Sequence, residues 1–164
     1  MPAQPVIHLD RLSDKPLVFE GDLAPGDLPR LEDALANGKG ALHYKLSARL
    51  DPRRRRVVSC IIEGFVFLTC QSTLEAFRHG ISIDDRLVLV NDESELPPIE
   101  EESDAEDYLV ADETLDVLDL VEDAVLLSLP MVPRKPGLEE PQEKKPAERA
   151  ASPFAALAGL KKRK

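Results

Sequence analysis

From Ala41 onward, apolar and polar side chains alternate. Leu42, Tyr44, Leu46, Ala48 and Leu50 fall on one parity, and His43, Lys45, Ser47 and Arg49 on the other. A period of two marks a strand with one face against a core. Asp51-Pro52 supplies a turn and Arg53 to Arg56 a basic tip, after which a second β-type run extends from Val57 to Cys70. In that run Val58, Cys60, Ile62, Val66 and Leu68 share one parity, and Ile61, Phe65 and Phe67 the other. Apolar residues on both faces predict a central or strongly curved strand, with Gly64 as the natural bend or bulge. Residues 41–70 are therefore predicted to form a long β-hairpin. Ile81-Ser82-Ile83 and Leu87 to Val90 predict one or two further strands.

The flanking segments carry weaker patterns. Val6 to Leu9 and Leu17 to Phe19 are short apolar runs that predict edge strands or extended arms. Gly26-Asp27-Leu28-Pro29 opens like a helix, Leu28, Leu31 and Leu35 recur at i, i+3 and i+7, and Asn37-Gly38 stops the run. One short helix is expected there. A second helix is predicted over about 115–129, with Thr114 as N-cap and Asp116 and Asp119 near its positive end. Val117, Val121, Ala124 and Val125 would share its buried face, and Pro130 would end it. The fold class is α+β: an antiparallel sheet centred on 41–70, closed by strands near 81–90, with this helix across it. The chain then parses into an N-terminal arm over 1–40, a core over 41–133 and a tail over 134–164.

Charge changes this picture locally. The chain has 21 Lys plus Arg against 31 Asp plus Glu, a net −10, which excludes a uniformly basic nucleic-acid binder but not a local basic patch. Residues 92–107 hold nine acids and no base, and are expected to form a disordered acidic loop. Residues 134–151, rich in Pro, Glu, Lys and Ala, are expected to be a linker. Beyond it, Ser152-Pro153-Phe154 starts an apolar tip with Leu157 and Leu160, backed by Lys161, Lys162, Arg163 and Lys164. Fourteen prolines, two tyrosines and no tryptophan agree with a modest core and much non-globular sequence. No apolar run approaches the roughly 18 residues needed to cross a bilayer. Met1 to Pro5 has no secretory character, and two cysteines do not make a disulfide scaffold, so a cytoplasmic protein is expected.

Little of the chemistry is catalytic. There is no Gly-rich phosphate loop, no Gly-x-Ser-x-Gly and no His-Glu-x-x-His, so no enzyme activity, catalytic residue or cofactor is expected. Cys60 and Cys70 on one continuous strand would lie roughly 33 Å apart, too far for a disulfide unless the strand folds back at Gly64. Shared parity suits two buried small side chains. His8, His43 and His79 are scattered singly, and no metal site is expected. Arg53, Arg54, Arg55 and Arg56 have two readings: a solvated turn that protects the hairpin from aggregation, or a finger that grips phosphates. With no aromatics interleaved among them, stacking on unpaired bases is not indicated at the tip. The acidic loop is either an entropic, solvated segment or a site that captures a basic partner. Phe154, Leu157, Leu160 and the terminal bases resemble a peptide that folds onto a partner or docks back on its own domain.

Three segments, in this order, resemble the bacterial YceD family. They are Phe67-Leu-Thr-Cys-Gln71, the stretch from Asp116 through Leu-Val-Glu-Asp to Leu-Pro-Met-Val-Pro133, and the ending Ser152-Pro-Phe-Ala-Ala-Leu-Ala-Gly-Leu-Lys-Lys-Arg-Lys164. The resemblance implies a non-enzymatic factor for accumulation of large-subunit ribosomal RNA, hence ribosome biogenesis. Its implied partner is that RNA or its precursor ribonucleoprotein; the acidic loop adds a basic ribosomal or RNA-processing protein as a candidate, and no membrane partner is expected. The alternative is a protein-binding module whose acidic loop holds a basic partner without direct RNA contact. Many members of the family carry Cys-x-x-Cys at the end of the long strand. Here Gln71, Ser72 and Thr73 follow Cys70, so the second thiol is missing.

Overall fold

The computed structural model describes residues 5–101 and 103–137. The chain divides at Arg134 into two units, and the strands and helix of the described residues all belong to the first, Met1–Arg134. The strands are β1 (Val6–His8), β2 (Leu17–Leu23), β3 (Gly40–Leu50), β4 (Arg56–Thr69), β5 (Ala76–Val90), β6 (Asp107–Val110) and β7 (Thr114–Asp116), followed by the helix α1 (Val117–Ser128). The tail tip, with Phe154, Leu157, Leu160 and Lys161 to Lys164, lies outside the described residues, as does the linker beyond Gly137.

The α+β expectation holds. Five strands form one sheet in the order β2-β3-β4-β5-β6, and β1 and β7 pair as a separate antiparallel ribbon. The predicted hairpin is β3 and β4, in register from Gly40 opposite Val66 to Leu50 opposite Arg56. The strand expected near 81–90 is longer, since β5 pairs with β4 from Ala76 opposite Thr69 to Leu89 opposite Arg56. The sheet is mixed rather than wholly antiparallel, because β6 returns from the acidic segment and lies parallel to β5.

Gly64 makes no bulge. It pairs one-to-one with Leu42 and Ile81, and its φ of +149° is what glycine supplies there. A Cβ at this position would stand 2.0 Å from the Ala41 carbonyl oxygen, so β3 and β4 approach more closely than any side chain allows.

The helix expected from Gly26 is instead two 3₁₀ turns, Pro25–Asp27 and Pro29–Ala34. Pro29 drives the preceding Leu28 out of the helical region, to φ −106° and ψ 100°, and this splits the segment. Leu28 and Leu31 are nonetheless buried, as the periodicity requires. The predicted helix over 115–129 is α1, but its N-cap is Asp116 rather than Thr114, which lies in β7. The Asp116 carboxylate accepts from the N–H groups of Leu118 (2.8 Å) and Asp119 (3.2 Å).

The core lies between α1 and one face of the sheet. Leu42, Leu46, Val58, Ile62, Val66 and Leu68 meet Ile7, Leu31, Val117, Val121 and Val125 there, all essentially inaccessible. Each such side chain contributes about 1.5–3 kcal/mol of burial. Glu122 is also buried, at 2% exposure, and Oε1 accepts from the backbone N–H of Arg30 (2.5 Å) and Leu31 (3.3 Å). Beside it Asp123 pairs with the Arg30 guanidinium. The two acids of the Leu-Val-Glu-Asp stretch therefore clamp the Pro29–Ala34 turn to α1.

The acidic segment is not uniformly free. It contains short 3₁₀ turns at Glu93–Glu95 and Ile99–Glu101, Asp92 accepts from the Ser94 N–H at 2.7 Å, and Glu106 is held by arginines. Expected disorder across all of 92–107 thus gives way to local capping, because Asp, Ser and Asn side chains satisfy nearby backbone groups.

Candidate nucleic-acid interface

One carboxylate organises the hairpin tip. Asp51 is buried; its Oδ1 accepts from the N–H of Arg53 (2.8 Å) and Arg55 (2.9 Å), and its Oδ2 from Arg55 Nε (2.8 Å). Burial alone would raise its pKa, but the donors of Arg55 and Arg53 together hold the carboxyl below its usual range. The backbone closes with Arg54 in a left-handed conformation, φ 63°, its N–H donating to the Asp51 carbonyl at 2.8 Å.

The four arginines consequently do different things. Arg55 donates from both terminal nitrogens to Glu106, at 3.1 and 3.3 Å. Glu106 first, then Asp51, raise the Arg55 pKa against the opposing effect of burial. Arg86 Nε stands 3.1 Å from the same Glu106, charge against charge. Arg56 donates to Asn91 Oδ1 at 2.8 Å and reaches the Asp112 carbonyl at 3.5 Å. Arg53 and Arg54 are exposed, and Arg54 approaches Asp14 at 3.6 Å. Arg55 thus ties the acidic segment to the hairpin, Arg56 ties Asn91 and Asp112 on either side of that segment and β6, and Arg53 and Arg54 face solvent.

A second feature emerges on the sheet face turned away from α1. Odd-numbered residues of β4 lie on this face, and Phe65 and Phe67 meet edge to face with ring centroids 5.9 Å apart. The Arg78 guanidinium, from β5, lies over the Phe65 ring at 4.1 Å. The register sets Phe67 opposite Arg78, and Phe65 between Ala41 and Gly80. A Cβ at Gly80 would meet nothing within 4 Å, so the rings border open space. Neither ring is among the residues packed on the core. Exposed Lys39 immediately precedes β3 at this end. Further along the face Asp22 pairs with His43 at 2.9 Å and Glu20 with Lys45 at 3.5 Å, and Glu63 and Asp84 share that face. Hydrogen bonding to Asp22 raises the His43 pKa above its ordinary 6.5, despite some desolvation, with further support from Glu20.

Sequence reasoning about the tip missed this cluster. The shared parity of Phe65 and Phe67 is visible in the chain, but Arg78 belongs to another strand, and only the register brings it over the ring.

On the helix side a groove of about 820 Å³ runs between α1 and β6, with Leu109 and Leu127 beside Asp85, Asp107 and Asp123. Leu127 is 87% exposed. Burial, with Asp107 and Asp84 nearby, raises the Asp85 pKa. Cys60 borders the same groove, and burial, helped by Asp85, pushes its thiol up to about 12. Cys60 and Cys70 are both buried and form no disulfide. Among the described residues no three His, Cys, Asp or Glu side chains are grouped to hold a metal ion, and no helix is long and apolar enough to cross a membrane.

The family model of the large ribosomal RNA subunit accumulation protein YceD matches residues 58–161. The chain belongs to the YceD family. No curated protein and no solved structure matches it. Membership ties this YceD-family chain to accumulation of large-subunit ribosomal RNA, as the resemblance implied. The matched span includes Phe65, Phe67, Arg78, Glu106 and the clamp acids Glu122 and Asp123, and begins just after the arginine tip.

Proposed function

We propose that this YceD-family chain supports large-subunit ribosomal RNA accumulation as a cytoplasmic, non-catalytic adaptor that touches the RNA or its precursor ribonucleoprotein directly. The observation that carries the reading is the family match over residues 58–161. Direct contact is supported by the rigid hairpin tip, where Asp51 holds the loop and leaves Arg53 and Arg54 exposed. With a net charge of −10, the chain repels a polyanion at long range, so any contact is local and basic. Guanidinium groups at a fixed tip grip phosphates without reading sequence.

The test is a salt titration of the full chain against a large-subunit ribosomal RNA fragment. Arg53→Gln combined with Arg54→Gln lowers affinity and flattens the slope by roughly two phosphate contacts. An unchanged slope turns the tip into a solvated turn. A second reading, capture of a basic protein, is favoured by the groove in which Leu127 stands exposed beside Asp123. Co-purification before and after ribonuclease treatment separates the two: partners lost with the RNA support the adaptor, and partners retained support the groove.

A further inference from the structure

The paired phenylalanines on the outer sheet face have no structural employment in the core. We infer that Phe65, Phe67 and Arg78 form a stacking platform for unpaired RNA bases, an assignment that rests on the RNA-contact reading above and gives it a site. Stable sheets tolerate exposed single apolar residues, but two half-buried rings at alternate positions of the central strand, with a guanidinium over one of them, make a specific arrangement. Alternate aromatics on the inner strand of an open sheet are how sheet-face RNA-binding modules stack successive bases. Residues two apart on one face are about 6.6 Å apart along the strand, and with the rings at 85° to each other and Arg78 over Phe65, a base stacks on one open ring face or on the guanidinium.

Charge and space agree with an RNA occupant. Arg78 flanks the rings and Lys39 is exposed at the same end, while Glu63 adjoins Phe65 on the other side, in register with His43 and Ser82. A guanidinium stacked on a ring can itself stack on a base and contact a phosphate. Ala41 and Gly80, on either side of Phe65, are the small neighbours that let a planar base approach. The tip arginines grip phosphates irrespective of pairing, and the platform would select single-stranded regions, because only unstacked bases reach a flat sheet face.

The experiment measures fluorescence anisotropy of the full chain with a labelled single-stranded oligouridylate and with an RNA duplex of equal length. Wild type prefers the single strand. Phe65→Leu with Phe67→Leu keeps apolar bulk but removes the rings, and should lower single-strand affinity roughly 10-fold or more with the duplex affinity nearly unchanged. Phe65→Tyr with Phe67→Tyr keeps the rings and should retain the preference. Thermal melts of both variants show whether the fold is intact. The result that overturns the platform is a folded Leu variant with wild-type single-strand affinity, even where Arg53→Gln with Arg54→Gln flattens the salt slope; direct RNA contact then survives without it. Failure of wild type to bind either RNA at low salt overturns both readings together.

Discussion

Glu122→Ala removes the buried side-chain acceptor that joins the α1 helix to the backbone of the Pro29–Ala34 turn. Glu122 is 2% exposed, and its carboxylate takes the N–H of Arg30 at 2.5 Å and of Leu31 at 3.3 Å. A hydrogen bond to a charged acceptor contributes about 1.5–3 kcal/mol, and a buried donor left without a partner costs about 1–3 kcal/mol. The Arg30 N–H is only partly buried and can regain water, whereas the Leu31 N–H is buried but keeps its second acceptor, the Leu28 carbonyl at 3.2 Å. The Leu31 bond is longer and shared, so the Arg30 bond carries most of the loss, and the two together come to about 2–3 kcal/mol. Glu122→Gln keeps an oxygen for both donors but buries an amide and loses the charge, which should cost about 1–2 kcal/mol. Urea unfolding of the full chain should show the midpoint falling in the order wild type, Gln, Ala, with the slope unchanged. For a domain of this size the Ala variant should melt about 10 °C lower. Leu31→Ala should couple to Glu122→Ala by more than about 0.5 kcal/mol, since both act on one turn. A Glu122→Ala variant within about 1 kcal/mol of wild type would refute the clamp, because it would mean that water and the Leu28 carbonyl serve the two donors as well as the carboxylate does.

Gly64→Ala should destabilise by roughly 3–5 kcal/mol, since φ is +149° and the new Cβ meets a carbonyl oxygen at 2.0 Å. Gly80→Ala, facing open space, should stay within about 0.5 kcal/mol of wild type in the same urea titration; equal effects would refute the close-approach argument. Arg55→Gln should speed amide exchange across Asp107–Val110 by releasing Glu106, and Arg53→Gln should not; identical protection in both would show that the ion pair does not hold β6. His43 should titrate above 6.5 by NMR, and Asp22→Asn should move its midpoint back toward 6.5. Because the folded value is raised, the pair's contribution to stability is complete below 6.5 and is lost as pH rises through the raised value. Cys60, with its thiol pushed up to about 12, should resist alkylation at neutral pH until the protein is unfolded; reaction at the rate of an exposed thiol would contradict its burial.

The local periodicities of the chain already determine the hairpin and the helix. Alternation from Leu42 to Leu50 can bury only one face of a strand, and the face shared by Val117, Val121 and Val125 can bury only one side of a helix. The YceD resemblance is likewise carried by contiguous stretches, and the family match covers them as far as Lys161. Tertiary structure decided what depends on residues far apart in the chain. Leu28, extended before Pro29, turned a predicted helix into two 3₁₀ turns, and buried Glu122 then supplied their acceptor from α1. The parallel β6 and the capture of Glu106 by Arg55 could not be read from an acidic run, whose composition predicts only self-repulsion. The candidate sites divided in the same way. Four consecutive arginines look equivalent in sequence, yet Asp51 and Glu106 withdraw Arg55 and leave Arg53 and Arg54 in solvent. Phe65 and Phe67 share a face by parity alone, but Arg78 joins them only through the β4–β5 register, because pairing between strands is set by the turn and the buried face together and not by either strand alone.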